Sequence, residues 1–278
     1  FHILIFLLNA FVLLAPSIFR LVHFSSGASS GIGKATAVLF ARLGSRLALV
    51  ARDEQRLKET VAECKAVNQT QHPPDKEPYI YVTADLLDPI QIEAAFSKTM
   101  AHFNQLNILV NNAGFMPQDN IETVSMQHFE QTMKVNLYSA VLLTHLAVPA
   151  LTATKGTVVN VSSVCGTRSF PNVLSYCVSK AGLDQFTKCA ALELAPKGIR
   201  VNCINPGVIV TPLQRRGGMS DSDYAAFLER SKVTHALGRA GEVDEAAQAI
   251  AFLASSASSF ITGGLLPVDG GRSAMCPR

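Results

Sequence analysis

The chain has 278 residues, of which 48% are hydrophobic and 16% charged. That balance describes a globular protein with a large core and excludes a disordered one. Lysine and arginine number 24 against 21 acidic residues, a formal charge of +3, too small and too dispersed to argue for nucleic acid or an acidic membrane as partner. The six cysteines are Cys64, Cys165, Cys177, Cys189, Cys203 and Cys276. None forms Cys-x-x-Cys and no His/Cys cluster has zinc spacing, so no metal site is expected. Several lie in apolar or helical stretches, where a free thiol behaves as a small core residue. This favours a reducing, cytoplasmic setting.

The first 25 residues are atypical. Phe1–Phe19 is nearly unbroken hydrocarbon, interrupted by His2, Asn9 and Pro16, and is about long enough to span a bilayer. It lacks the basic region and small-residue cleavage site of a secretory signal. A first strand over roughly Ile18–Ser25 would carry Arg20 and His23, where a central parallel strand is normally a continuous apolar run. Three readings stand: a membrane anchor, an unusual buried strand, or a segment foreign to the fold from a fragmentary gene model. The third accounts for both the missing initiator methionine and the poor strand.

From Ser26 onward, strand and helix signals alternate, as a parallel sheet covered on both faces requires. A helix over about Gly31–Leu43 precedes a strand at Arg46–Ala51. Asp53–Asn68 reads as an amphipathic helix with Asp53 as its cap, and Gln69–Pro78 as a polar loop. Then come strand Tyr79–Thr83, helix Pro89–Phe103 and strand Asn107–Asn111. A long helix near Ser125–Ala150 leads to strand Thr157–Val161, and a second near Ser175–Ala195 to strand Arg200–Ile204. Pro212–Leu237, rich in charge, Gly and Ser, predicts helical pieces at best. A helix over Val243–Ser255 and a strand at Leu265–Val268 complete a single α/β domain, 26–278, with about seven strands.

Two clusters carry chemistry. Ser26-Gly27-Ala28-Ser29-Ser30-Gly31-Ile32-Gly33 lies between a strand and a helix. Glycines there permit a tight turn and a close backbone approach to a pyrophosphate, which the helix N-terminus favours. Tyr176 and Lys180 are four apart on a helix, within about 5–6 Å at Cβ. A lysine cation there would draw the phenol down from about 10 towards the range of a working proton donor.

With Asn111-Asn112-Ala113-Gly114 and a serine thirteen residues before the tyrosine, these motifs make Gly27 to about Gly271 resemble a short-chain dehydrogenase/reductase of the classical type. Similarity is strongest to the 3-oxoacyl-[acyl-carrier-protein] reductase-like branch. Ser26 stands where that family usually has threonine, and the residues before it do not match the family's first strand. The resemblance implies a doubly wound Rossmann fold and hydride exchange between a nicotinamide and a carbonyl/secondary-alcohol pair. It implies a tetrad of Asn136, Ser163, Tyr176 and Lys180. Tyr176 would exchange the proton, and Lys180 would lower its pKa and bind the nicotinamide ribose. Ser163 would hold the substrate oxygen, and Asn136 a water that relays protons to Lys180. Ser162, the competing serine, would support the strand end. Cofactor contacts would come from Gly27, Ser29, Ser30, Gly31, Ile32 and Gly33, from Asp85 and Leu86, and from Asn112, Ala113 and Gly114. Pro206, Gly207, Ile209 and Thr211 would meet the carboxamide and phosphates, and Asp269-Gly270-Gly271 would be structural.

The second strand ends Val50-Ala51-Arg52-Asp53. Ala51 offers no carboxylate for a ribose hydroxyl, and Arg52 stands where a 2′-phosphate would lie. The residues favour NADP(H); Asp53, unless it only caps its helix, keeps NAD(H) open. Walls for a small-molecule substrate would come from Phe115–Asn120, Cys165–Asn172 and Pro212–Leu237; Arg215, Arg216 and Lys232 supply positive charge there, read as solvated surface ahead of anion recognition. Cys165 and Cys177 flank the tetrad, as packing residues or as oxidation-sensitive thiols. By family analogy the chain forms a homotetramer or dimer through its two long helices. The alternatives are an NAD-dependent alcohol dehydrogenase, an impaired nucleotide-binding relative, and a membrane-anchored reductase.

Overall fold

Seven parallel strands form one sheet in the order β3-β2-β1-β4-β5-β6-β7. In the computed structural model the described residues are 21–68 and 76–275. Along the chain these are β1 (Val22–Ser26), α1 (Gly31–Arg42), β2 (Arg46–Ala51), α2 (Glu54–Val67), β3 (Tyr79–Thr83) and α3 (Pro89–Phe103). Next come β4 (Ile108–Asn111), α4 (Met126–Thr154), β5 (Thr157–Val161), α5 (Leu174–Leu194) and β6 (Arg200–Pro206). The lid helices α6 (Leu213–Arg216) and α7 (Asp221–Thr234), then α8 (Val243–Ala254) and β7 (Leu265–Val268), complete the order. The chain starts mid-sheet, winds outward to β3, returns to β4 and winds the other way. A crevice therefore opens beyond the carboxyl ends of β1 and β4, where such sheets bind ligands.

Alternation along the strands builds two cores. Leu47 and Leu49 of β2 face Phe40 of α1 and Ile250 of α8, while Ala48 and Val50 face Phe96 of α3 and Leu143 of α4. Both sheet faces are covered, which is why the strands read as nearly continuous apolar runs.

β1 departs most from expectation. Residues 22–25, which the sequence assigns to the atypical segment, join Ser26 in a strand paired with β2 and β4. His23 is fully buried there and its ring lies 4.3 Å from that of Phe40. Packing against a ready-made aromatic surface on α1 thus overrides the poor strand pattern. The anchor and foreign-segment readings were made for residues 1–25, of which 1–20 lie outside the described residues, as does most of the 69–78 loop.

Two helices differ from expectation. α4 runs on to Thr154 and carries one π-turn, Lys134–Tyr138, around Asn136. The lid is more ordered than its polar composition suggested. Ser220 caps α7 by accepting from the Asp223 amide at 3.1 Å, and Asp221 and Asp223 face the helix dipole. Tyr224 pins α7 by donating to the Thr211 carbonyl at 2.9 Å.

Candidate active site

The turn after β1 forms one wall of a cleft of about 1390 Å³. Gly27 takes a left-handed φ of 65°. Asn112, just past β4, donates from Nδ2 to the carbonyls of Ser26 and Gly27, both at 3.1 Å. Ser26 Oγ accepts from the amides of Asn112 and Ala113 at 3.1 and 3.2 Å, so serine supplies the oxygen this junction needs. A Cβ on Gly33 would lie 2.3 Å from both Asn112 Nδ2 and the Gly27 carbonyl oxygen. Gly33→Ala is therefore expected to push the turn outward, costing about 1–3 kcal/mol of stability and most of the nucleotide affinity; thermal melts and a nucleotide titration check both.

Of the expected cofactor residues, the turn from Gly27 to Ile32 (Ala28 apart), Arg52, Asp85, Leu86, Asn112–Gly114, Pro206, Gly207, Ile209 and Thr211 line this cleft. Gly33 lies behind the turn. Asp85 accepts from the Leu87 amide at 3.1 Å, while the cap of α3 is Asp88. The open turn at the start of α1, a cradle that side chains would fill, suits a dinucleotide pyrophosphate.

At the adenosine end, Asp53 caps α2 through the Arg56 amide at 3.0 Å and pairs with the Arg56 guanidinium at 3.3 Å. Arg216, which sequence reasoning assigned to the substrate side, lies in the field of Arg56 and Arg52. Burial first, and then those two charges, hold its pKa below the usual arginine range. Arg56, in the first turn of α2, was missed altogether, because only the fold brings it beside Arg52 and Arg216.

At the cleft floor, Tyr176, Lys180 and Ser163 come together, all buried. Ser163 Oγ accepts from the Cys165 amide at 3.1 Å, and its hydroxyl lies close enough to Tyr176 to favour the phenolate. Lys180 Nζ lies 5.6 Å from the centre of the Tyr176 ring and donates to the Val161 carbonyl at 2.7 Å. Burial pushes the Tyr176 phenol up and brings Lys180 down to about 8. The expected drop in the phenol's pKa is thus reversed without cofactor, because desolvation outweighs a lysine engaged by a carbonyl. Ser162, expected to support the strand end, donates to the Lys180 carbonyl at 3.2 Å and so ties the end of β5 to α5. Cys165 and Cys177 act on each other, which draws Cys177 down and, with burial, pushes Cys165 up.

Asn136 lies outside the cleft lining. Its Oδ1 accepts from the Phe115 amide at 2.7 Å, and its Nδ2 donates to the Phe115 carbonyl at 2.8 Å and to Ser179 Oγ at 2.9 Å. The side chain thus ties the loop after β4 to α5, and Oδ1 keeps a second lone pair beyond these bonds. A π-turn often marks a functional position, and here it sits where that tie is made. Asp119 makes a second tie, accepting from the Ser175 amide at 3.0 Å and from its hydroxyl beside Tyr176. Nothing in the local pattern announced Asp119, whose partner lies 56 residues away.

The profile of the family described as enoyl-(acyl carrier protein) reductase matches residues 27–273. The chain is 34% identical over 247 residues to 3-oxoacyl-[acyl-carrier-protein] reductase FabG of Thermotoga maritima, covering 88% of this chain and 95% of that protein. It is 35% identical over 248 residues to cyclohexanol dehydrogenase of an Acinetobacter species, covering 88% and 92%. A short-chain dehydrogenase/reductase of unknown function from Caenorhabditis elegans, solved with cofactor, superposes with a TM-score of 0.86 at 32% identity, covering 93% of this chain and 97% of that one. Family, fold and cleft agree: the chain belongs to the classical short-chain dehydrogenases/reductases, NAD(P)-binding oxidoreductases of alcohols and carbonyls, near the 3-oxoacyl-[acyl-carrier-protein] reductase branch.

Proposed function

We propose that the protein is an NADP(H)-dependent reductase of a small carbonyl compound, working reversibly, with Tyr176 as proton donor. The observation that carries this reading is the buried Tyr176–Ser163 hydroxyl pair above Lys180, at the floor of the cleft that begins at the glycine turn. When bound, the cofactor supplies or accepts the hydride. The residues that would hold it are the Gly27–Gly33 turn, Asp85, Leu86, Asn112–Gly114 and the Pro206–Thr211 segment.

Ser163 and Tyr176 together would grip the substrate oxygen. A phenol kept protonated by burial is suited to donate to the alkoxide that forms there. Lys180, protonated below about pH 8, would stabilise the phenolate left behind and reload it with a proton. Asn136 and Asp119 act as positioning residues, holding Phe115 and the start of α5 in register with the catalytic side chains.

Arg52, Arg56 and Arg216 support NADP(H), since three guanidiniums converge while the neighbouring carboxylate, Asp53, is engaged in capping. Arg52→Ala with Arg216→Ala is expected to weaken NADPH about 10- to 100-fold, as loss of charge-assisted bonds does, with NADH barely affected. Fluorescence titration with both nucleotides decides; unchanged NADPH affinity would favour an NAD-dependent alcohol dehydrogenase. Turnover of a panel of ketones and β-ketoesters tests the reaction itself.

The assembly we infer pairs chains through α4 and α5. By length and composition α4 could cross a membrane, yet Leu143, Ala147 and Leu151 pack into the core. Its outward Tyr138 and Val141, with Val178 and Leu192 of α5, are exposed apolar groups that such pairing would cover.

A further inference from the structure

The lid cations that the sequence weighs for the substrate side are engaged elsewhere. Arg215 pairs with Asp221 at 2.8 Å and stacks on Tyr224, Lys232 pairs with Glu229 at 2.8 Å, and Arg216 lies near Arg52 and Arg56. Two other arginines line the cleft, Arg230 and Arg272. Arg230 stands on α7 between Phe227 and Thr234, spacings that place all three on the cleft-facing stripe of the lid. Arg272, just past β7, lies 4.7 Å over the ring of Phe170. They come from distant parts of the chain yet lie near enough to repel each other.

Neither arginine makes an ion pair among the described residues. The carboxylate that acts on Arg272 is Asp269, and its oxygens already accept from the amides of Gly271 at 3.0 Å and Ser273 at 2.6 Å. Two like charges facing one cavity without a counter-ion are stabilised when an anion enters. A guanidinium fork matches a planar carboxylate. Phe170, Met219, Phe227 and Val233 line the same cleft as these cations and the Tyr176–Ser163 pair.

We propose that Arg230 and Arg272 form an anion subsite, so that the substrate is a ketone or secondary alcohol carrying a carboxylate beyond an apolar body. This rests on the reductase reading above and adds the substrate class to it. Arg230 belongs to the lid, so a bound carboxylate would also draw α7 towards β7 and close the cleft over the reacting carbon.

The test uses the full chain with NADPH and two ketone acids of different length, 4-acetylbenzoate and 6-oxoheptanoate, each against its neutral amide. For at least one pair, the acid is expected to show a kcat/KM about 10-fold or more above that of its amide, expressed mainly in KM, as for a hydrogen bond to a charged group. The preference should shrink with added salt and vanish in Arg230→Glu, a solvent-facing change that spares the core, and in Arg272→Ala. Equal kcat/KM for acid and amide in both pairs, or a preference that survives in the doubly substituted chain, overturns the subsite while leaving the reductase standing. Equilibrium binding of the same acids and amides to the NADP⁺ complex reads the subsite independently of turnover. There, equal dissociation constants overturn it and tighter acid binding supports it. Absence of turnover with every ketone would defeat the reductase reading alone.

Discussion

Tyr176→Phe is expected to lower kcat/KM for NADPH-dependent ketone reduction by about 10²- to 10⁴-fold, the contribution of a positioned general acid. The ring would still fill its buried place, so the fold and NADPH affinity should barely change. Ser163 would keep its bond to the Cys165 amide. Steady-state rates alongside an NADPH titration separate the two effects. Near-normal turnover in this variant would remove Tyr176 from the chemistry. The pH profile of the unaltered protein carries a linked expectation. Burial keeps the phenol protonated well above neutrality, so of these two groups Lys180 titrates first, at about 8. Reductive kcat/KM should therefore hold up to about pH 8 and fall above it, as Lys180 loses the charge that stabilises a phenolate. A rise across that range would contradict the role given to the lysine.

His23→Val should stabilise the protein, an unusual direction for a substitution in the centre of a sheet. His23 is fully buried in β1, and among the described residues neither ring nitrogen has a hydrogen-bond partner. An unsatisfied buried polar group costs about 1–3 kcal/mol, and valine would remove it while placing a β-branched residue in the strand. Burial holds the imidazole at about 3, against 6.5 when unfolded. The sign follows from proton uptake: between those values the unfolded chain binds a proton that the folded chain refuses. The associated stability is complete above pH 6.5 and is lost as pH falls towards 3, at about 1.4 kcal/mol per pH unit. Denaturant melts of both proteins from pH 7 to pH 4 check this. The valine variant should lose less stability on acidification; parallel losses would mean that other groups govern the acid limb.

Much of the molecule was legible in sequence because its signals are local. β2, β3, α3, β5 and β7 lie within the bounds that apolar runs, prolines and caps indicate. The glycine turn, Tyr176 and Lys180 were recognisable because a tight turn and a helical four-residue spacing are written within a few adjacent residues. Composition likewise sufficed for the α/β class, since alternating strands and helices leave a covered parallel sheet as the way to bury both faces.

What tertiary structure alone decided are relations between distant segments. His23 becomes a tolerated strand residue because Phe40, seventeen positions on, offers its ring. Asn136 was expected to hold a water on the way to Lys180; that its side-chain amide also ties Phe115 to Ser179, at a π-turn that no propensity announces, only the fold could show. Arg216 and Arg230 share one charged lid and look alike in sequence. Folding sends one towards Arg52 and Arg56 and the other to the field of Arg272. Even the direction of the Tyr176 shift depended on this. Spacing brings the lysine to the tyrosine, but burial and the Val161 carbonyl, set by the sheet, determine what each proton costs to move.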